Sequence, residues 1–205
     1  DILRGKNIKV DHVGFEKEME KSKALARANW KGSGDKYLEE RWFKVREEIS
    51  PTEFLGYEFD KAEGVIIRIS KNGKFVDTAN TGDEIEVITN QTPFYGESGG
   101  QVGDQGYIFS SDCKIIVNDT QKKIGDLFVH YGKIEKGSIS IGQHVNLEID
   151  ILKRNNSKAN HSATHLLHES LRRTLGKHVT QKGSLVSPEK LRFDFSHNKP
   201  IKKEE

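Results

Sequence analysis

The chain has 205 residues, 33 Lys and Arg against 31 Asp and Glu, a net charge of +2 and 34% hydrophobic residues, which suits one large or two small domains. No apolar run approaches the ~20 residues that a membrane-spanning helix needs, and no basic-then-apolar signal segment opens the sequence, so the expectation is a soluble cytoplasmic protein with no membrane partner. The single cysteine, Cys113, has no partner for an internal disulfide, in keeping with a reducing compartment; it reads as a reduced, partly buried thiol in a strand over 112–118 without a catalytic role.

Charge is unevenly spread. Residues 1–50 hold 12 Lys and Arg against 10 Asp and Glu, residues 51–150 hold 9 against 16, and residues 151–205 hold 12 against 5. The middle is acidic and the end basic, and a basic end suits either a partner that carries phosphates or a solvated charged face. The first residue is Asp1, and the only methionine, Met19, falls inside a helical pattern, so the chain is expected to be a piece of a longer protein.

Taken from the start, Phe15, Met19, Ser22, Ala26 and Trp30 recur at three- and four-residue steps, as do Leu38, Trp42, Val45 and Ile49. Both stripes predict amphipathic helices, separated by a turn at Gly32-Ser33-Gly34-Asp35 and closed by Pro51. Residues 1–51 are therefore expected to form a helical hairpin with a scaffolding role.

Over 52–151 the pattern changes to short β-branched and aromatic runs cut by glycine turns, which predicts strands over 65–70, 84–89, 106–110, 114–118, 127–134 and 144–151. Asn72-Gly73 is a hairpin signal. Many short strands at this spacing predict a small antiparallel β-barrel. The loop 99–106 is rich in glycine, but no Gly-Lys-Ser/Thr ending follows and the next element reads as a strand. The plain reading is a tight turn with positive φ, not a phosphate cradle.

The last segment, 152–205, carries His161-Ser162-Ala163-Thr164-His165-Leu166-Leu167-His168 in a stretch that reads as a helix, with Asp150 as N-cap and Gly176 at its C-terminal end. His161 and His165 stand one turn apart on one face. Zinc takes about four ligands, and a helical i, i+4 pair supplies two of them. Taken alone, the same spacing also arises by chance or as half-buried packing. His168 reads as a packing or second-sphere residue, and His178 and His197 as surface or edge residues. Leu167, Leu171 and Leu175 form an apolar stripe beside the histidines, and strands over 179–186 and 191–195 are expected to cover the helix. The fold class is thus α+β: a helical hairpin, a small antiparallel β-barrel, then the start of an α+β domain.

Three blocks carry a resemblance that covers most of the chain. Asn160, His161 and His165 together with 176–186 and 191–197, the block 92–106 and the stretch 15–34 ending in Trp30-Lys31-Gly32-Ser33-Gly34 resemble, in order, the editing domain, the barrel before it and the helical lead-in of the alanyl-tRNA synthetase family.

The resemblance implies an aminoacyl-tRNA synthetase that attaches alanine to tRNA(Ala), with an editing module that hydrolyses mischarged Ser-tRNA(Ala) and Gly-tRNA(Ala) at a zinc site. It implies His161 and His165 as zinc ligands and Thr164 and Gln181 as catalytic-pocket residues, whose alternative readings are a helix-face filler and an exposed strand residue. It implies Gly99, Gly100, Gln101 and Arg192 as RNA-facing residues, no DNA partner, and ATP binding only in a synthetic domain outside these residues. The sequence departs from the family in one respect. The family's other two zinc ligands come from a later Cys-x-x-x-His, which is expected beyond the end of this chain, since four residues beyond Cys113 lies Val117; this chain is expected to hold zinc weakly. Alternatives are a free-standing Ala-tRNA-editing hydrolase, the editing module of a threonyl-tRNA synthetase, against which the glycine-rich block argues, and a non-catalytic tRNA-binding scaffold.

Overall fold

The computed structural model describes residues 14, 15, 17–19, 21 and 33–202, and the chain divides into two units, Asp1–Arg41 and Trp42–Glu205. In the first unit, residues 14, 15, 17–19 and 21 are helical, with Phe15 and Met19 exposed; Ser22, Ala26 and Trp30 of the expected first stripe lie outside the described residues. Helix α1 (Ser33–Glu48) takes in Ser33, Gly34 and Asp35, which the sequence reading assigned to a turn. Ser and Asp favour helix starts as readily as turns, so the local signal does not separate the two.

The second unit is built on a closed barrel. Its strands are β2 (Lys61–Lys71), β5 (Glu84–Thr89), β7 (Gly106–Phe109), β8 (Lys114–Lys123), β9 (Leu127–Lys136) and β11 (His144–Ile149). They pair antiparallel in the order β2–β5–β9–β8–β7–β11, and β11 returns to β2. Closure leaves no free barrel edge. The flanking pieces are short: β1 (Glu53–Phe54) runs parallel to β6 (Gln91–Thr92), β3 (Lys74–Val76) folds back on β2, and β4 (Thr78–Asn80) pairs with β10 (Ser138–Ser140). The β2–β3 turn is Asn72-Gly73, both at positive φ, as the hairpin signal predicts.

Two-residue periodicity explains how one strand serves two cores. Val87 of β5 joins Ile66, Ile69, Ile108, Ile115, Ile134 and Leu147 inside the barrel, whereas its neighbour Ile88 faces outward to Trp42, Val45, Leu127 and Val129. Trp42, Val45 and Ile49 of the second helical stripe thus find their partners on the barrel wall; the side chain of Leu38 lies outside the described residues. A local repeat, not read from the sequence, caps the barrel: Asn80 N–H donates to Asp83 before β5, and Ser140 N–H donates to Gln143 before β11, each at 3.0 Å. Gly82 and Gly142 hold the two turns at φ near +90°.

After the barrel comes α2 (Ile151–Leu175), capped by Asp150, which accepts from Lys153 N–H, and ended at Gly176. A hairpin of β12 (Gln181–Val186) and β13 (Leu191–Phe195) packs on α2. No helix among the described residues is long and apolar enough to cross a membrane.

The helix is fastened to the barrel by a buried ion pair. Arg154 donates through Nε to both oxygens of Asp104, at 3.0 and 2.8 Å, and through its terminal nitrogens to Asp104, to Gly56 O at 2.9 Å and to Pro93 O at 2.8 Å. Asp104 also accepts from Tyr95 N–H, and Thr120 Oγ1 donates to its carbonyl. Both side chains are more than nine-tenths buried. Replacement of Arg154 by Met leaves a carboxylate and two carbonyls without this partner, so a loss of roughly 3–5 kcal/mol is expected in urea unfolding; a loss below about 1 kcal/mol would show that water already reaches the pair.

Inside the barrel, His130 is fully enclosed. Its Nδ1–H donates to Val87 O at 3.0 Å, its Nε2 meets Thr92 Oγ1 at 2.8 Å, and Phe94 stands edge-on to the ring. Because Val87 offers only an acceptor, the proton is on Nδ1 and the Thr92 hydroxyl donates to Nε2. Burial pushes the imidazole down to about 4, against a smaller opposing effect of the Val87 bond. Unfolded, the residue takes a proton near pH ~6.5. Its contribution is therefore complete above that value and is lost as the pH falls toward 4, with a slope of up to about 1.4 kcal/mol per unit. His130→Gln should flatten the pH dependence of unfolding in that window by about one proton; an unchanged slope would rule the residue out as its source.

Candidate active site

Helical geometry places His161, Thr164, His165 and His168 at i, i+3, i+4 and i+7, on one face of α2. These four side chains, with Gly99, Gln181, Ser184, Val186 and Phe193, line a cavity of about 70 Å³. Four residues singled out from sequence, His161, His165, Thr164 and Gln181, therefore meet in one place, and Gly99 closes the side toward the barrel. The rings of His161 and His165 lie 5.0 Å apart.

Three contacts hold the walls together. Asn160 Nδ2 donates to Ser187 O at 2.8 Å, which ties α2 to the hairpin turn. Val186 N–H donates to Gly100 O at 2.7 Å and Val102 N–H donates to Val186 O at 3.0 Å, which seats β12 on the glycine-rich loop. On the other flank of that loop, Glu97 N–H donates to Thr120 O of β8. Gly99 and Gly100 both take positive φ, as the tight-turn reading predicts.

The polar groups have fixed directions. His161 Nδ1 lies 2.8 Å from the amide oxygen of Gln101, which can only accept, so the bond uses Nδ1–H; in the neutral ring this leaves the lone pair on Nε2. Thr164 Oγ1 donates to Asn160 O at 2.8 Å and keeps its lone pairs. Gln181 Nε2 donates to Ser184 Oγ at 3.1 Å. His168 packs its ring on Phe193, 5.0 Å away, and its buried Nε2 finds no hydrogen-bond partner.

Other expected residues stand elsewhere. Gln101 is only 7% exposed and turned onto His161. Arg192 is exposed, pairs with Asp194, and is absent from the cavity wall; on β13 it alternates with Phe193 and Phe195, which face the helix. His178 and His197 form a pair, with Nε2 of one 2.9 Å from Nδ1 of the other. Cys113 is buried and free. The leucine stripe holds in part: Leu171 and Leu175 are half-buried, Leu167 is 38% exposed, and the buried residues of α2 are Arg154, Ser157 and Thr164. A helical period names two candidate faces, and here the polar one meets the barrel and hairpin. Ser184 and Phe193 were not singled out from sequence; their only signal was position in the strands flanking the histidine helix.

As a metal site the arrangement fits in part. His161 offers a free Nε2 and His165 stands beside it, yet no group of three or more His, Cys, Asp or Glu side chains suited to a metal occurs among the described residues. Two imidazoles are half of the usual zinc shell.

Replacement of Gly100 by Ala tests how the walls meet. A Cβ there lies 2.4 Å from Ser184 Oγ and 2.7 Å from Ser184 O, at a φ of +86°. We expect a cost of about 1–3 kcal/mol and faster hydrogen exchange at Val186 and Val102, whose amides bond across this contact. Exchange unchanged at those two amides would disprove the seam.

The family profile for tRNA synthetases class II (A) matches residues 1–153. The alanine-tRNA ligase of Mesorhizobium japonicum is 56% identical over all 205 residues, which are 23% of that relative's length. Those of Chelativorans sp. and Nitrobacter winogradskyi are 54% and 53% identical over the same 205 residues and the same share of their own length. The chain thus spans about a quarter of the curated relatives it matches.

Proposed function

The chain belongs to the class II (A) tRNA synthetase family, and from that premise we propose that it is the part of an alanine-tRNA ligase that removes serine or glycine wrongly joined to tRNA(Ala). The observation that carries the reading is the cavity: His161, Thr164, His165 and Gln181, the four residues that the family resemblance singles out, line one small space of about 70 Å³. Chemistry of this kind is needed because a synthetic pocket discriminates poorly between amino acids that differ by so few atoms, so a second site must sort them.

The reaction is hydrolysis of an ester. Water adds to the carbonyl carbon, the bond to the ribose oxygen of the terminal adenosine breaks, and a free amino acid and an uncharged tRNA leave. Thr164, whose proton is engaged by Asn160 O, offers lone pairs to a donor such as a serine hydroxyl or an α-ammonium. Gln181 presents its amide at the rim, held by Ser184. His161 and His165 would hold zinc, which supplies Lewis-acid polarisation when bound. Basic side chains such as Lys158, Arg172, Lys177, Lys182 and Lys190 are exposed on and after α2, which suits the phosphates of a tRNA acceptor end.

A second reading, a tRNA-binding scaffold without catalysis, is favoured by the two-histidine count at the metal position. Deacylation of Ser-tRNA(Ala) and zinc content, measured for the full-length ligase, its His165→Ala variant and the 205-residue chain, separate the two. We expect about one zinc and hydrolysis in the full-length protein, loss of both on substitution, and weak zinc with slow hydrolysis in the chain alone. Full-length His165→Ala that keeps both would overturn the editing reading. A chain that binds tRNA(Ala) but never deacylates it would establish the scaffold.

A further inference from the structure

We propose that Gln101 is a positioning residue that holds His161 in the Nδ1–H tautomer and aims its Nε2 lone pair into the cavity. The inference rests on the reading of His161 as a metal ligand, and it assigns to the barrel, through one side chain, control over the helix that carries the site.

The geometry is direct. The amide oxygen of Gln101 lies 2.8 Å from His161 Nδ1 and accepts its proton. An imidazole left to water favours the opposite tautomer, with the proton on Nε2 and no lone pair there for a metal. An acceptor fixed at Nδ1 reverses that preference, because the Nε2–H form would set two lone pairs against each other.

Gln101 is also built to stay in place. Its N–H donates to Ser98 O at 3.0 Å, its carbonyl accepts from Ser98 N–H at 3.1 Å, and it lies opposite Val186 in a parallel bridge. The residue as a whole is only 7% exposed. A residue that merely filled space would need neither the amide nor this double clamp on its backbone. Among the described residues no such acceptor is placed at His165, so the device acts on one histidine of the pair.

The test uses the metal-free chain with 15N-labelled histidine, about two pH units above the ordinary imidazole value of ~6.5. Long-range proton–nitrogen spectra report which nitrogen of His161 carries the proton. Wild type should show Nδ1–H. Gln101→Met, of equal length but with only a weak thioether acceptor in place of the amide oxygen, should move the majority to Nε2–H, and Gln101→Glu should restore Nδ1–H. Wild type found as Nε2–H, or the same tautomer in wild type and a folded Gln101→Met, would overturn the proposal; if Gln101→Met fails to fold, Nε2–H in Gln101→Glu does the same.

Zinc affinity of the same substitutions in the full-length ligase, where about one zinc is expected, adds a second readout. Gln101→Met should weaken binding about 10–100-fold and Gln101→Glu recover it. If the tautomer responds while wild type binds no zinc, the metal reading fails and the hold of Gln101 on His161 stands. If zinc binding ignores a switched tautomer, Gln101 does not serve the metal.

Discussion

The ion pair between Arg154 and Asp104 is the constraint on which the site's geometry rests. A charge taken into a protein interior costs several kcal/mol unless its partners are complete, and here the guanidinium reaches a carboxylate and two carbonyls from three separate stretches of the barrel. From Arg154 to His161 is seven residues, two turns and about 10 Å of one rigid helix. The face that begins with the ion pair is the face that continues into the histidines. One half of it is bolted to the barrel and the other half lines the cavity.

Asp104 belongs to the same loop as Gly99, Gly100 and Gln101, which closes a mechanical circuit. The loop receives the helix through Asp104, receives β12 through Gly100 and Val102, and touches the site through Gln101. Its glycines serve this crowding: at Gly103 a Cβ would lie 2.0 Å from Thr120 O. Two of the polar groups that line the cavity share one property. His161 and Thr164 direct a proton outward, to Gln101 and to Asn160 O, so each can present a lone pair to an N–H or O–H donor or a cation.

Legibility from sequence followed the range of the physics. Strands 84–89 and 191–195 agree with the structure, because two-residue alternation and bordering turns are local signals. The caps Asp150 and Gly176 agree for the same reason. The strand read as 114–118 runs to Lys123, since its second half is polar and half-exposed and shows no alternation of hydrophobicity. The three-residue strands β4 and β10 are too short to show any period.

Contacts across long sequence separations were not legible. Arg154 looks like one more cation in a basic segment until Asp104, fifty residues earlier, is placed beside it. Likewise nothing in the spacing of His178 and His197 announces that their rings meet. The family resemblance supplied His161, His165, Thr164 and Gln181, and the structure gathers them in one cavity, but it gave no hint that Gln101 turns inward to a histidine.

Val186 separates two roles that most cavity residues combine. Its N–H and C=O make both bonds of the seam with the glycine-rich loop, while its side chain forms part of the cavity wall. Main-chain bonds are indifferent to what the side chain is. A change of side chain at this position, from Ala through Val to Ile, therefore alters the wall of the cavity while both main-chain bonds of the joint stay available.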